Sequence, residues 1–127
     1  MKIDGIAMTE TSFMVGPQFE KILTQPGNLG VTAGEVRWYP SRDIKLVSVH
    51  ASVHIPPIGS SLQLRINKNG GTIVQPLTIL SNNNESVLLT LNDIVSNGDY
   101  ITIDITQVGA TTPGTGLVIS FVYRKTT

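Results

Sequence analysis

Cysteine is absent from the 127 residues, so neither a disulfide framework nor a thiolate zinc site can be built. A chain made in a reducing cytosol is the expectation. Charge is also scarce: 14% of the residues are charged, against about 25% in average usage, which suits a β-rich chain with much buried or interfacial surface. Nine basic residues balance nine acidic ones, and no Lys/Arg cluster occurs. Phosphate neutralisation supplies most of the affinity for nucleic acid, so no nucleic-acid partner is expected. Zero net charge removes the self-repulsion that keeps proteins apart, and self-association is expected. No run approaches the ~20 apolar residues of a membrane span, and MKIDGIAMTETSF lacks the apolar stretch of a signal peptide. No membrane partner is expected.

Motifs for catalysis and cofactors are missing as well. GATTPGTG (Gly109 to Gly116) has the glycine spacing of a phosphate-binding loop. It lacks the Lys and the following hydroxyl that such a loop needs to reach phosphate oxygens and hold magnesium. Leu117, Ile119, Phe121 and Tyr123 follow with a strand period of two, so the stretch reads as a connection between strands. The only histidines, His50 and His54, share a strand face about 13 Å apart, too far to meet on one zinc. No G-x-S-x-G elbow is present. Asp93, Asp99 and Asp104 lack calcium-loop spacing, and Asp99 with Asn97 reads as turn chemistry. No metal or other cofactor is expected, and the chain reads as non-enzymatic.

What is present is alternation. Val47, Val49, Ala51, Val53 and Ile55 share one face of a long strand, and Leu62, Leu64 and Ile66 alternate with polar residues. NKNGG (Asn67 to Gly71) supplies the positive φ angles of a tight hairpin, and Pro76 confines the return strand to an edge. Val87, Leu89 and Leu91 alternate again. NDIVSNGD (Asn92 to Asp99) reads as a loop with one helical turn. Then Ile101, Ile103 and Ile105 point inward, and LVISFVY closes the chain. Roughly seven or eight short strands with regular turn signals predict an all-β fold, an antiparallel two-sheet β-sandwich of jelly-roll type. Its expected core is Val47, Val49, Val53, Leu62, Leu64, Ile66, Ile101, Ile103, Ile105, Ile119 and Phe121. Trp38 and Tyr39 are consecutive, so one faces the core and the other the surface; with Tyr100 and Tyr123 they read as core or interface rather than a sugar platform.

Residues 1–34 differ. Glycines and prolines break the segment, yet it carries Ile3, Ile6, Met8, Phe13, Met14, Val15 and Phe19, too apolar for a solvated tail. It is expected to be an extended N-terminal arm whose apolar side chains form an interface, with residues 35–127 forming the sandwich.

Three stretches together carry a resemblance: EVRWYPSRDIKLVSVHASV, IGSSLQLRINKNGGTIV and NGDYITIDITQVG. In order and spacing they resemble a β-sandwich domain recurrent in tailed-phage virion proteins, over Glu35 to Val122. Pro40 and HIPPIG depart from that pattern, and the arm lies outside it. The resemblance makes the connection after Gln107 the family's last hairpin-like one. It implies a structural role on the virion and no catalytic residues. The expected station is the capsid surface, as a decoration or cement protein that self-associates as a trimer and binds the major capsid protein. A receptor-binding or tail-tip module and a minor tail or connector protein are the alternatives.

Overall fold

A computed structural model describes residues 17–126. Among the described residues nine strands run in order: β1 (Phe19–Asn28), β2 (Thr32–Trp38), β3 (Ile44–Ile55), β4 (Leu62–Lys68), β5 (Gly71–Ile79), β6 (Leu89–Thr90), β7 (Ile94–Val95), β8 (Ile101–Gln107) and β9 (Thr115–Lys125). One sheet has the order β1-β9-β3-β6, with β7 also paired to β3; the other has β2-β8-β4-β5. All pairings are antiparallel. The protein is an all-β, two-sheet sandwich with jelly-roll strand order.

The pairing is nested about one turn. β4 meets β5, β3 meets β6 and β7, β2 meets β8, and β1 meets β9. At the centre lies the Asn-Gly hairpin, where Asn69 (φ 52°) and Gly70 (φ 86°) take the left-handed conformations that match strand twist. Pro76 falls within β5, an edge strand, where its missing N–H leaves no ladder bond unmade.

Period-two alternation builds the core. Ile103 and Ile105 of β8 stand opposite Ile66 and Leu64 of β4, and Phe121 and Ile119 of β9 stand opposite Val49 and Ala51 of β3. All eight are almost fully buried. Ten of the eleven expected core residues are buried; Val47 is only half-buried. A β-bulge explains it. Val122 pairs with Ser48 but Tyr123 pairs with Leu46, so Val47 is an extra residue on β3. Ile44 and Leu46 face inward before it, and Val49, Ala51 and Val53 after it.

Three other expectations are corrected. Residues 19–34 do not belong to an arm: β1 pairs along β9, Leu23 is buried, and β2 begins at Thr32. Pro26 and Gly27 made this stretch look irregular, but an edge strand tolerates both, and Gly27 (φ 77°) sits where the register shifts. NDIVSNGD holds no helical turn; Ile94–Val95 pairs with β3, and a turn over Ser96–Asp99 follows. The segment from Val108 to Gly114 is not a hairpin connection, because it crosses from one sheet to the other. Gly109 is needed there for space: a Cβ would lie 1.9 Å from the Thr112 carbonyl oxygen and 2.6 Å from the Ile58 nitrogen.

Candidate functional site

Of the arm residues expected at an interface, Ile3, Ile6, Met8, Phe13, Met14 and Val15 lie outside the described residues. Phe19 lies inside them, as the first residue of β1. Its register partner is Tyr123, which also pairs with Leu46, so Phe19 and Tyr123 stand on the inner face at one end of the sandwich. The two rings stack with centroids 5.7 Å apart. Tyr123 in turn meets Trp38 of the other sheet at 5.4 Å, and Trp38 meets Phe121 at 5.7 Å. A chain of four rings thus runs from the surface into the core.

A cleft of about 430 Å³ opens over these rings, where β1 and β3 begin and β9 ends. Tyr39, Pro40 and Ile44 complete its aromatic and apolar lining. Its charged lining residues are Lys21, Arg42 and Lys125, with no acidic side chain among them. Strand alternation puts Lys21 on the inner side with Leu23, while Lys125 holds its ammonium 4.9 Å from the Phe19 ring centre, a cation–π contact. Nearby acids are turned elsewhere: Ser120 donates to Glu20, and the Asn97 amide donates to Asp43 at 2.7 Å.

The outer face of the β2-β8-β4-β5 sheet is built differently. Asp104 is buried there and accepts from Gly34 N–H (2.7 Å), Arg65 Nε and Nη2 (2.9 and 2.8 Å) and Asn67 Nδ2 (3.0 Å). Burial pushes its carboxyl up, but the bonds from Arg65, Asn67 and Gly34 outweigh that and hold it below the usual range. At the sheet's end, Asn69 clasps two strands' worth of loop: its side chain donates to Asp99 and accepts from Tyr100 N–H, and its own N–H donates to the Tyr100 carbonyl. The bond from Asn69, helped by the Ser96 N–H, lowers the Asp99 carboxyl. Tyr39 packs on Tyr100 at 5.4 Å, and Arg37 lies over Tyr100 and donates to the Tyr39 hydroxyl. Trp38 and Tyr39 take opposite faces, buried and 61% exposed.

The free side of β3 carries a third feature. Residues 84–95 follow this strand, with Glu85 bridging Ser52, Ser86 N–H donating to Ala51 and Leu89 opposite Val49. Between Ser86 and Leu89 the chain bulges, leaving Val87 69% and Leu88 64% exposed. Alternation places Val87 with Leu89 and Leu91; the bulge turns it outward. Beside it, His50 meets Glu85 at 3.0 Å, while His54 is exposed on the same strand.

Among the described residues, no group of three or more His, Cys, Asp or Glu could hold a metal ion. Two of the three aspartates considered for calcium are engaged separately, Asp99 in its turn and Asp104 with Arg65. Sequence reasoning missed the cleft, since Lys21, Arg42 and Lys125 share no motif. It also missed the Val87–Leu88 bulge, for which only the unbroken apolar run Val87-Leu88-Leu89 could have served as a signal.

No family model matches the chain, and no curated protein matches it in sequence. Among solved structures, it is similar to a family 35 carbohydrate-binding module from Clostridium thermocellum, at 10% identity over 85% of this chain and 92% of that one, with a TM-score of 0.47. It is also similar to the catalytic unit of a thermostable GH87 α-1,3-glucanase from Streptomyces thermodiastaticus, at 15% identity over 86% of this chain and 26% of that one, with a TM-score of 0.48. Neither likeness extends to a ligand or an activity here.

Proposed function

We propose that this chain is a non-enzymatic structural protein of a tailed-phage virion, a decoration protein that binds the outer shell and stabilises the junctions between capsid subunits. One observation carries the reading. The three stretches that resemble the virion sandwich domain, far apart in sequence, meet in a single interlock. Tyr39 and Arg37 come from the first, Arg65, Asn67 and Asn69 from the second, and Asp99, Tyr100 and Asp104 from the third; they bond or stack with one another. The resemblance therefore follows the residues that hold one sheet together, as a shared architecture would.

The surface supports an interfacial mechanism. Phe19, Ile22, Ile55, Val87, Leu88 and Ile94 are exposed on or beside the strands of one sheet, and such apolar surface marks docking sites. A receptor-binding module would present open ring faces in a concave site; in the cleft, Phe19, Tyr123 and Trp38 already pack on one another. Copies of the chain then associate with one another over the junctions, as its zero net charge allows. Counting copies in purified virions of the encoding phage tests this. A number matching the shell's subunits is expected; a handful per particle means the tail, and none removes the virion role.

A further inference from the structure

We propose that the sandwich associates with copies of itself head to tail, the Glu85–Leu88 bulge of one copy seating in the aromatic cleft of the next. The inference rests on the self-associating part of the function proposed above and names its contact. Two surfaces that are incomplete alone complement each other. The bulge offers two adjacent, mostly exposed aliphatic side chains, Val87 and Leu88, and one carboxylate, Glu85. The cleft offers an aromatic floor and three cations with no acid. Glu85 meets His50 through Oε1, which leaves Oε2 for a second partner. Among the described residues neither Lys21 nor Arg42 has an ion-pair partner.

A sugar fits less well, because Phe19, Tyr123 and Trp38 pack on one another and Tyr39 packs on Tyr100. An aliphatic pair needs only ring edges and the walls at Pro40 and Ile44. Placement sets the symmetry. The bulge follows β3, at one edge of its sheet, and the cleft opens beside β1, at the other edge. A contact between opposite edges is heterologous, so it closes into a ring or grows as a chain; it cannot form an isologous pair.

Light scattering coupled to gel filtration on the full chain tests the contact with two variants. Val87→Ser/Leu88→Ser removes the bulge's apolar pair, and Arg42→Glu/Lys125→Glu reverses the cleft. All four positions are exposed, so both variants should melt like the parent. The parent is expected to be a multimer, and each variant alone to run at the 13.7 kDa of one chain. An equimolar mixture should give a dimer and nothing larger, since one variant keeps its cleft and the other its bulge. A monomeric parent, variants that keep the parent's mass, or a mixture that stays monomeric would each overturn the contact. A monomer still counted on the shell leaves the virion role standing without this contact; a multimer absent from virions does the reverse.

Discussion

The two sheets differ in what their strands carry: a polar lattice on one, exposed apolar side chains on the other. The β2-β8-β4-β5 sheet buries Asp104, Asn67 and Thr102 on its outer side and satisfies them from Arg65, Gly34 and one another. Its large exposed side chains, Val31, Tyr39 and Leu80, stand just beyond the ends of its strands, and Tyr39 packs on Tyr100. The β1-β9-β3-β6 sheet leaves Ile22 and Ile94 exposed along its strands and Phe19 and Ile55 at strand ends, with Val87 and Leu88 beside it. One sheet is complete within the chain. On the function proposed above, the other is the side that a partner covers. A sandwich can thus hold its fold with one half and keep the other for contact.

The sharpest way to break this division is at the finished sheet's centre. Ile103 is fully buried between β2 and β4, and Ile103→Ala should cost about 2–5 kcal/mol in chemical denaturation. A loss below about 0.5 kcal/mol, typical of surface positions, would contradict its place in the core. The crossover joining the sheets comes next. Gly109→Ala forces a methyl group onto the Thr112 carbonyl and the Ile58 backbone, and should cost about 3 kcal/mol, at the upper end for overpacking.

Asp104 tests the polar lattice through pH. Its folded carboxyl titrates below the ordinary value of 3.8, so its contribution is complete above that value and is lost as pH falls through the lower folded one. Asp104→Asn should destabilise by about 1–3 kcal/mol at neutral pH and flatten this part of the acid limb. An unchanged acid limb in melts at graded pH would show that Arg65 holds no ionised partner. The smallest effect belongs to the other sheet. Ile22→Thr on the exposed edge should shift stability by no more than about 0.5 kcal/mol while weakening binding to the shell. A large drop in melting temperature would move Ile22 into the domain's own packing.

Much of the finished sheet was legible because its two central strands, β8 and β4, alternate apolar with polar residues. Leu62-Leu64-Ile66 and Ile101-Ile103-Ile105 say which face is inward, and Asn69-Gly70 says where the chain turns. The contact sheet was harder to read. Strand β1 buries little beyond Leu23, too few side chains to make a period, so it resembled an arm. Strands β6 and β7 are two residues each, shorter than any pattern. The cleft draws its cations from Lys21, Arg42 and Lys125, which only the closing of β1 on β9 brings together.

The extra residue at Val47 sets how strand β3 would respond to a change in length. Losing one residue from a strand ordinarily turns every later side chain to the wrong face. Here Ile44 and Leu46 point inward at even positions, and Val49, Ala51 and Val53 at odd ones, so the strand already contains a shift of frame. Deleting Val47 restores a single frame for all five, as a suppressor restores a gene, and removes only the kink. Deleting a residue beyond the bulge, such as Ser52, has no such remedy. Tolerance to shortening in β3 should therefore be confined to that one spot.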